Sequence, residues 1–99
     1  MTEFQITENL FQLVRKERCL VPDILRHLRE VEDRKIHLAR GYPTLFAYCT
    51  ECLSYSDAEA QVRIQAVRLL REVPALQRYM NDGQISLWVA ARAQSALHH

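Results

Sequence analysis

The stretch Ser56 to Val73, SDAEAQVRIQAVRLLREV, decides the fold. Stepped at about 100° per residue, Ala60, Val62, Ile64, Ala66, Val67, Leu69, Leu70 and Val73 cover more than half of a helix circumference. Asp57, Gln61, Gln65, Arg68 and Glu72 share the remaining strip. Ser56 is placed to cap the helix, and Asp57 and Glu59 put negative charge where the helix dipole favours it. A helix this apolar must be wrapped by others. The stretch is therefore expected to be the central post of an all-α bundle, with its polar strip as the natural place for function.

Ninety-nine residues, 48% hydrophobic and 25% charged, bound the rest to one globular domain. Two glycines and three prolines leave few turns for a sheet. The net charge of +1, with neither half of the chain basic, does not announce a nucleic-acid binder. Met1 to Leu10 lacks the charged leader and apolar run of an export signal, and no stretch approaches a membrane span. Three cysteines and no export signal fit a reducing cytoplasm. Residues 1–97 are read as one domain, and His98 and His99 as a tail or the stub of an expression tag.

Outward from the central stretch, a first helix is expected from Glu8 to about Cys19. Thr7 would cap it, Ile6 and Phe11 would form a hydrophobic staple, and Ile6, Leu10, Phe11, Leu13 and Val14 would be its buried stripe. Arg15, Lys16 and Arg18 load its last turn; they read either as dipole compensation or as phosphate contacts. Pro22 suits the first turn of a second helix with Ile24, Leu25, Leu28 and Val31 inward. A kink or break is expected at Glu32-Asp33-Arg34-Lys35, an exposed pair between Glu30 and Arg34, and a left-handed cap at Gly41. His27 and His37 read as solvated surface residues.

Thr44 would cap a third helix, Leu45 to Leu53, with Cys49 and Cys52 both on its packing face. Cys49-Thr50-Glu51-Cys52 lacks the second ligand pair that a structural zinc site requires, so both thiols are expected reduced, buried and metal-free. Pro74 would open a fifth helix ending at Asn81-Asp82-Gly83, and Ser86 would cap a sixth. The expected total is a compact bundle of about six helices. The third and fourth, joined by four residues, have the outline of a helix-turn-helix.

Three segments carry a family resemblance. Gly41-Tyr42-Pro43-Thr44-Leu45-Phe46-Ala47-Tyr48-Cys49 resembles the G-Y-x-S-L-F-x-Y-C run of the helical amino-terminal region of bacterial HNH-endonuclease-type proteins. Ser56 to Leu69 is similar to that family's next helix, and Gly83-Gln84-Ile85-Ser86-Leu87 to its later G-x-[IL]-S-L segment. Leu45 to Leu97 also resembles the helix-turn-helix part of chromosome- and plasmid-partition proteins. Val21 departs from a common capping Thr, and Val62 from a common bulky residue. The nuclease unit of that family, a ββα element with metal-binding histidines, is not in this sequence.

The resemblance implies a non-catalytic DNA-targeting module that needs no cofactor. Its partners would be DNA and either a carboxy-terminal nuclease domain or a second copy. The central helix would be the reader, through Ser56, Gln61, Gln65 and Arg68, with Arg68 the one full positive charge on its strip. Arg15, Lys16, Arg18 and Arg63 are further candidates for phosphate. Arg63 has two readings, an ion pair with Glu59 one turn earlier or an inward-turned contact to phosphate or a partner. No nucleophile with an adjacent base and no glycine-rich phosphate loop is present, so an enzyme is not expected. The alternative function is protein–protein interaction or dimerisation without nucleic acid, which the near-neutral charge favours.

Overall fold

The computed structural model describes residues 1–98. Those residues form six α-helices and no strand. In chain order they are α1 (Glu3–Asp33), α2 (Ile36–Ala39), α3 (Leu45–Ala47), α4 (Asp57–Glu72), α5 (Gln77–Asn81) and α6 (Leu87–Leu97). A π-helical turn, Tyr48–Cys52, extends α3, and a 3-10 turn, Pro74–Leu76, leads into α5.

The central post forms as its sequence requires. The Ser56 hydroxyl accepts from the Glu59 amide, and the Glu59 carboxylate accepts from the Ser56 amide, closing a capping box. Ala60, Ala66, Val67, Leu69 and Leu70 are buried. The main partner of α4 is α6, and the alanines Ala90 and Ala91, both buried, sit on the packed side of that helix. Leu25 and Leu28 of α1, Leu45 and Cys49 of the third helix, and Met80 of α5 close the rest of the core.

The first third departs from expectation. The two helices predicted there are one, and Pro22 lies inside it. Proline removes a helix hydrogen bond and leaves the carbonyl four residues earlier unpaired. Here that residue is Arg18, and Pro22 itself is buried. The cap is Thr2, in a capping box with Gln5, rather than Thr7. The Thr7 hydroxyl instead donates back to the carbonyls of Glu3 and Phe4. The break falls where the charged run predicted it: Arg34 caps α1 and Lys35 is left-handed, with φ of 56°. Arg34 is already outside the helix, and the last turns carry an Arg29–Asp33 pair at 3.7 Å in place of Glu30 with Arg34.

The predicted buried stripe of the first helix is not buried. Ile6, Leu10, Phe11, Leu13 and Val14 are all exposed, as are Phe4 and Leu20. Residues 3–20 project from the body as an arm about 27 Å long at 1.5 Å per residue. The molecule is accordingly extended, not compact. Its axes are 49 × 28 × 22 Å and its radius of gyration is 15.4 Å, against about 13 Å for a compact chain of this length.

Two smaller corrections follow from local geometry. Cys52 and Leu53 are exposed although the helical wheel places them inward. The π turn, with the Leu53 amide bonded to the Tyr48 carbonyl at 3.1 Å, takes an extra residue per turn and rotates them off the packing face. His37 is buried, not solvated, because the break at Lys35 reorients α2; its Nδ1 lies 3.4 Å from the Val31 carbonyl oxygen. His27 stays exposed.

Candidate functional site

The polar strip of α4 is where the sequence placed function. Its first position, Ser56, spends its hydroxyl and amide on Glu59. The Ser56 amide, and after it the Ser56 hydroxyl, holds the Glu59 carboxyl below its usual range. The helix N-terminus is thus closed by its own carboxylate, with Asp57 beside it. An incoming phosphate would meet negative charge there.

Arg68 is not a free cation on a solvated strip. Its guanidinium lies 2.5 Å from the Glu32 carboxylate of α1. Arg71 reaches the same carboxylate at 2.9 Å and Asp33 at 2.7 Å. Burial pushes the Glu32 carboxyl upward, but the two arginines outweigh it and the net shift is downward. This cluster fastens the end of α1 to the last turns of α4. At the far end of the strip, Glu72 accepts from Gln94 at 3.2 Å and lies 2.6 Å from the His98 ring, and those contacts, Gln94 first, lower its carboxyl. His99 lies outside the described residues.

Gln61 and Gln65 border a shallow groove of about 570 Å³ between α4 and α6, shared with Trp88, Arg92 and Ser95. Gln61 is exposed and Gln65 half-buried. Trp88 and Arg92 are exposed, one helical turn apart on α6. Sequence reasoning passed over both. Their four-residue spacing on the face opposite the alanines was the available signal.

Arg63 does not pair with the Glu59 carboxylate, which the cap already occupies. It donates to the Glu59 carbonyl at 3.0 Å and lies 4.2 Å over the Tyr55 ring, a cation–π contact. The basic cluster Arg15, Lys16 and Arg18 is exposed on the arm, away from the α4 strip. Only Arg18 and Arg63 converge. Both line a cavity of about 670 Å³ at the base of the arm, between α1 and the segment joining α5 to α6.

The C-x-x-C pair is divided by the π turn. Cys49 is fully buried, and burial pushes its thiol up. Cys52 is exposed. Among the described residues no three His, Cys, Asp or Glu side chains converge as metal ligands, and no helix is long and apolar enough to cross a membrane.

The largest uncovered feature is the arm itself. Phe4, Ile6, Leu10, Phe11, Leu13 and Leu20 leave about half or more of their surface in solvent. A contiguous apolar surface of this kind marks an interaction site more often than an ordinary surface. Searches against protein-family models, curated proteins and solved structures find no match to the chain.

Proposed function

We propose that the chain is a non-catalytic association module whose docking surface is the apolar face of the α1 arm. One observation carries this reading: the apolar stripe that closes the core at Leu25 and Leu28 continues along the same helix to Phe4 with nothing covering it. The α4 strip is a poorer interface. Its middle, at Gln65 and Arg68, is half-buried, Arg68 is neutralised, and its exposed charges are Asp57 and Glu72, with Glu59 beside Asp57 in the first turn.

The test is a stability measurement. Leu10→Asp with Phe11→Asp should leave the thermal melt of dilute protein within about 0.5 kcal/mol per site of wild type, the norm for surface positions. Leu25→Ala, in the core, should cost about 2–5 kcal/mol. A core-sized loss from the arm pair would mean that the arm packs on its own body, and the reading would fall.

DNA targeting is the second reading, favoured by the groove that gathers Gln61, Gln65, Trp88 and Arg92. Glutamines can read adenine edges, and tryptophan with arginine can hold an unstacked base. The likeness of Gly41 to Cys49 to HNH-type proteins supports it too. On this reading random duplex binds weakly, at about 10⁻⁴–10⁻⁶ M. Arg92→Ala would abolish that binding and Arg68→Ala would barely change it, because Arg68 is held by Glu32. Fluorescence anisotropy at low salt that shows no binding by wild type removes this reading.

A further inference from the structure

We propose that the occupant of the arm is a second copy of this chain, paired arm to arm and antiparallel. The inference rests on the arm being a docking face, and it adds the partner and the geometry.

The arm carries a seam with alternating three- and four-residue spacing. Thr7, Leu10, Val14, Glu17, Val21, Ile24, Leu28 and Val31 follow one another at those intervals. Such spacing keeps one face of a helix against a neighbour over many turns. The second half of the seam, Val21 to Val31, lies against this chain's own core. The first half, Thr7 to Glu17, is exposed, with Val14 and Glu17 bordering a cavity instead of packing against the body. An arm of this length, tethered at one end, is also marginal as a lone helix in water. Continuity of the seam with a packed interface points to a helix as the missing neighbour.

Charge selects the orientation. Residues 3–14 carry Glu3 and Glu8 and no basic side chain. Residues 15–18 carry Arg15, Lys16 and Arg18 against the single Glu17. None of these basic groups has an ion pair among the described residues. A parallel pair would set acidic against acidic and basic against basic. An antiparallel pair separates the two Glu17 carboxylates, which lie on the seam, and sets Glu3 beside the other copy's Arg18.

The cavity at the base of the arm fits the same arrangement. It is lined on α1 by Val14, Glu17, Arg18 and Val21, which is the seam face, and closed on the far side by Met80 and Trp88 among others. With Leu10 of one copy opposite Val14 of the other, Thr7 falls opposite Glu17. The second copy's residues 3–10 then run along this cavity. Its acidic Glu3, on the seam, arrives beside Arg18, which flanks it, and its Phe4, 75% exposed here, gains an apolar wall. Phe11 and Leu13 lie near the two-fold axis, each beside its own counterpart. The contact is isologous and closes at two copies.

Sedimentation equilibrium on the full chain tests this. Wild type should show the mass of two chains. Leu10→Asp with Phe11→Asp should show the mass of one chain with the melt of the body unchanged. Glu3→Lys should weaken the dimer severalfold, and Glu3→Lys with Arg18→Glu should restore it. A wild type that stays at one-chain mass at every concentration overturns the second copy; an unchanged melt in the apolar variant then leaves the docking face standing. A two-chain mass indifferent to the arm variants overturns both. A dimer lost on Leu10→Asp with Phe11→Asp but unmoved by Glu3→Lys overturns the antiparallel pairing.

Discussion

Glu32 is the residue on which the body's internal attachment turns. Its carboxylate receives Arg68 and Arg71, and its side chain is 24% exposed, so the pairs are only partly screened. Its carboxyl sits below 4.5 in the folded chain and near that value when unfolded. A carboxyl lowered on folding adds stability that is complete above the unfolded value and is lost as pH falls through the folded one. Wild type should therefore lose stability on acidification below about 4.5 more steeply than Glu32→Gln does. Near neutral pH that variant should cost about 1 kcal/mol, the upper range for an exposed pair. Urea midpoints across the acid range check both; parallel acid limbs would count against the attachment. The helix caps, Ser56, Thr44 and Ser86, were legible because a cap is decided within four residues. The Glu32–Arg68 pair spans 36 positions, and no local pattern announces it.

At the scale of elements, α1 shows how far local rules reach. The charged run at Glu32 to Lys35 ends the helix as expected, because nothing apolar there can be buried. Pro22 misleads because the preference of proline for a first turn does not exclude one inside a longer helix, where packing of the buried ring offsets the lost hydrogen bond. The break itself carries strain. Lys35 holds φ of 56° with its side chain in solvent, and a non-glycine residue pays about 1–2 kcal/mol for that conformation. Lys35→Gly relieves it, while glycine costs about 0.5–1 kcal/mol more entropy on folding. A gain of about 0.5–1 kcal/mol should remain, seen as a higher urea midpoint at unchanged slope. A lower midpoint would mean that the Lys35 side chain holds the break. The π turn after α3 was not legible either. It separates Cys49 from Cys52 by an extra residue per turn, a change that a wheel drawn at helical pitch cannot show.

The molecule as a whole is a small body with a long arm. Periodicity establishes that the arm's stripe needs a neighbour, and the same signal reads identically whether that neighbour is this chain or another. For that reason Leu10 and Leu25 look alike in the sequence and part company in the structure, one in solvent and one at the core. The central claim is that the arm's apolar face belongs to an interface outside the body. Hydrogen exchange, followed by segment over a range of chain concentrations, tests it most directly. In dilute protein residues 3–18 should exchange rapidly, and residues 57–70 of α4 should be strongly protected. As concentration rises, protection should climb across residues 3–18 and stay constant across α4. Strong, concentration-independent protection of residues 3–18 in dilute protein, equal to that of α4, would contradict the account.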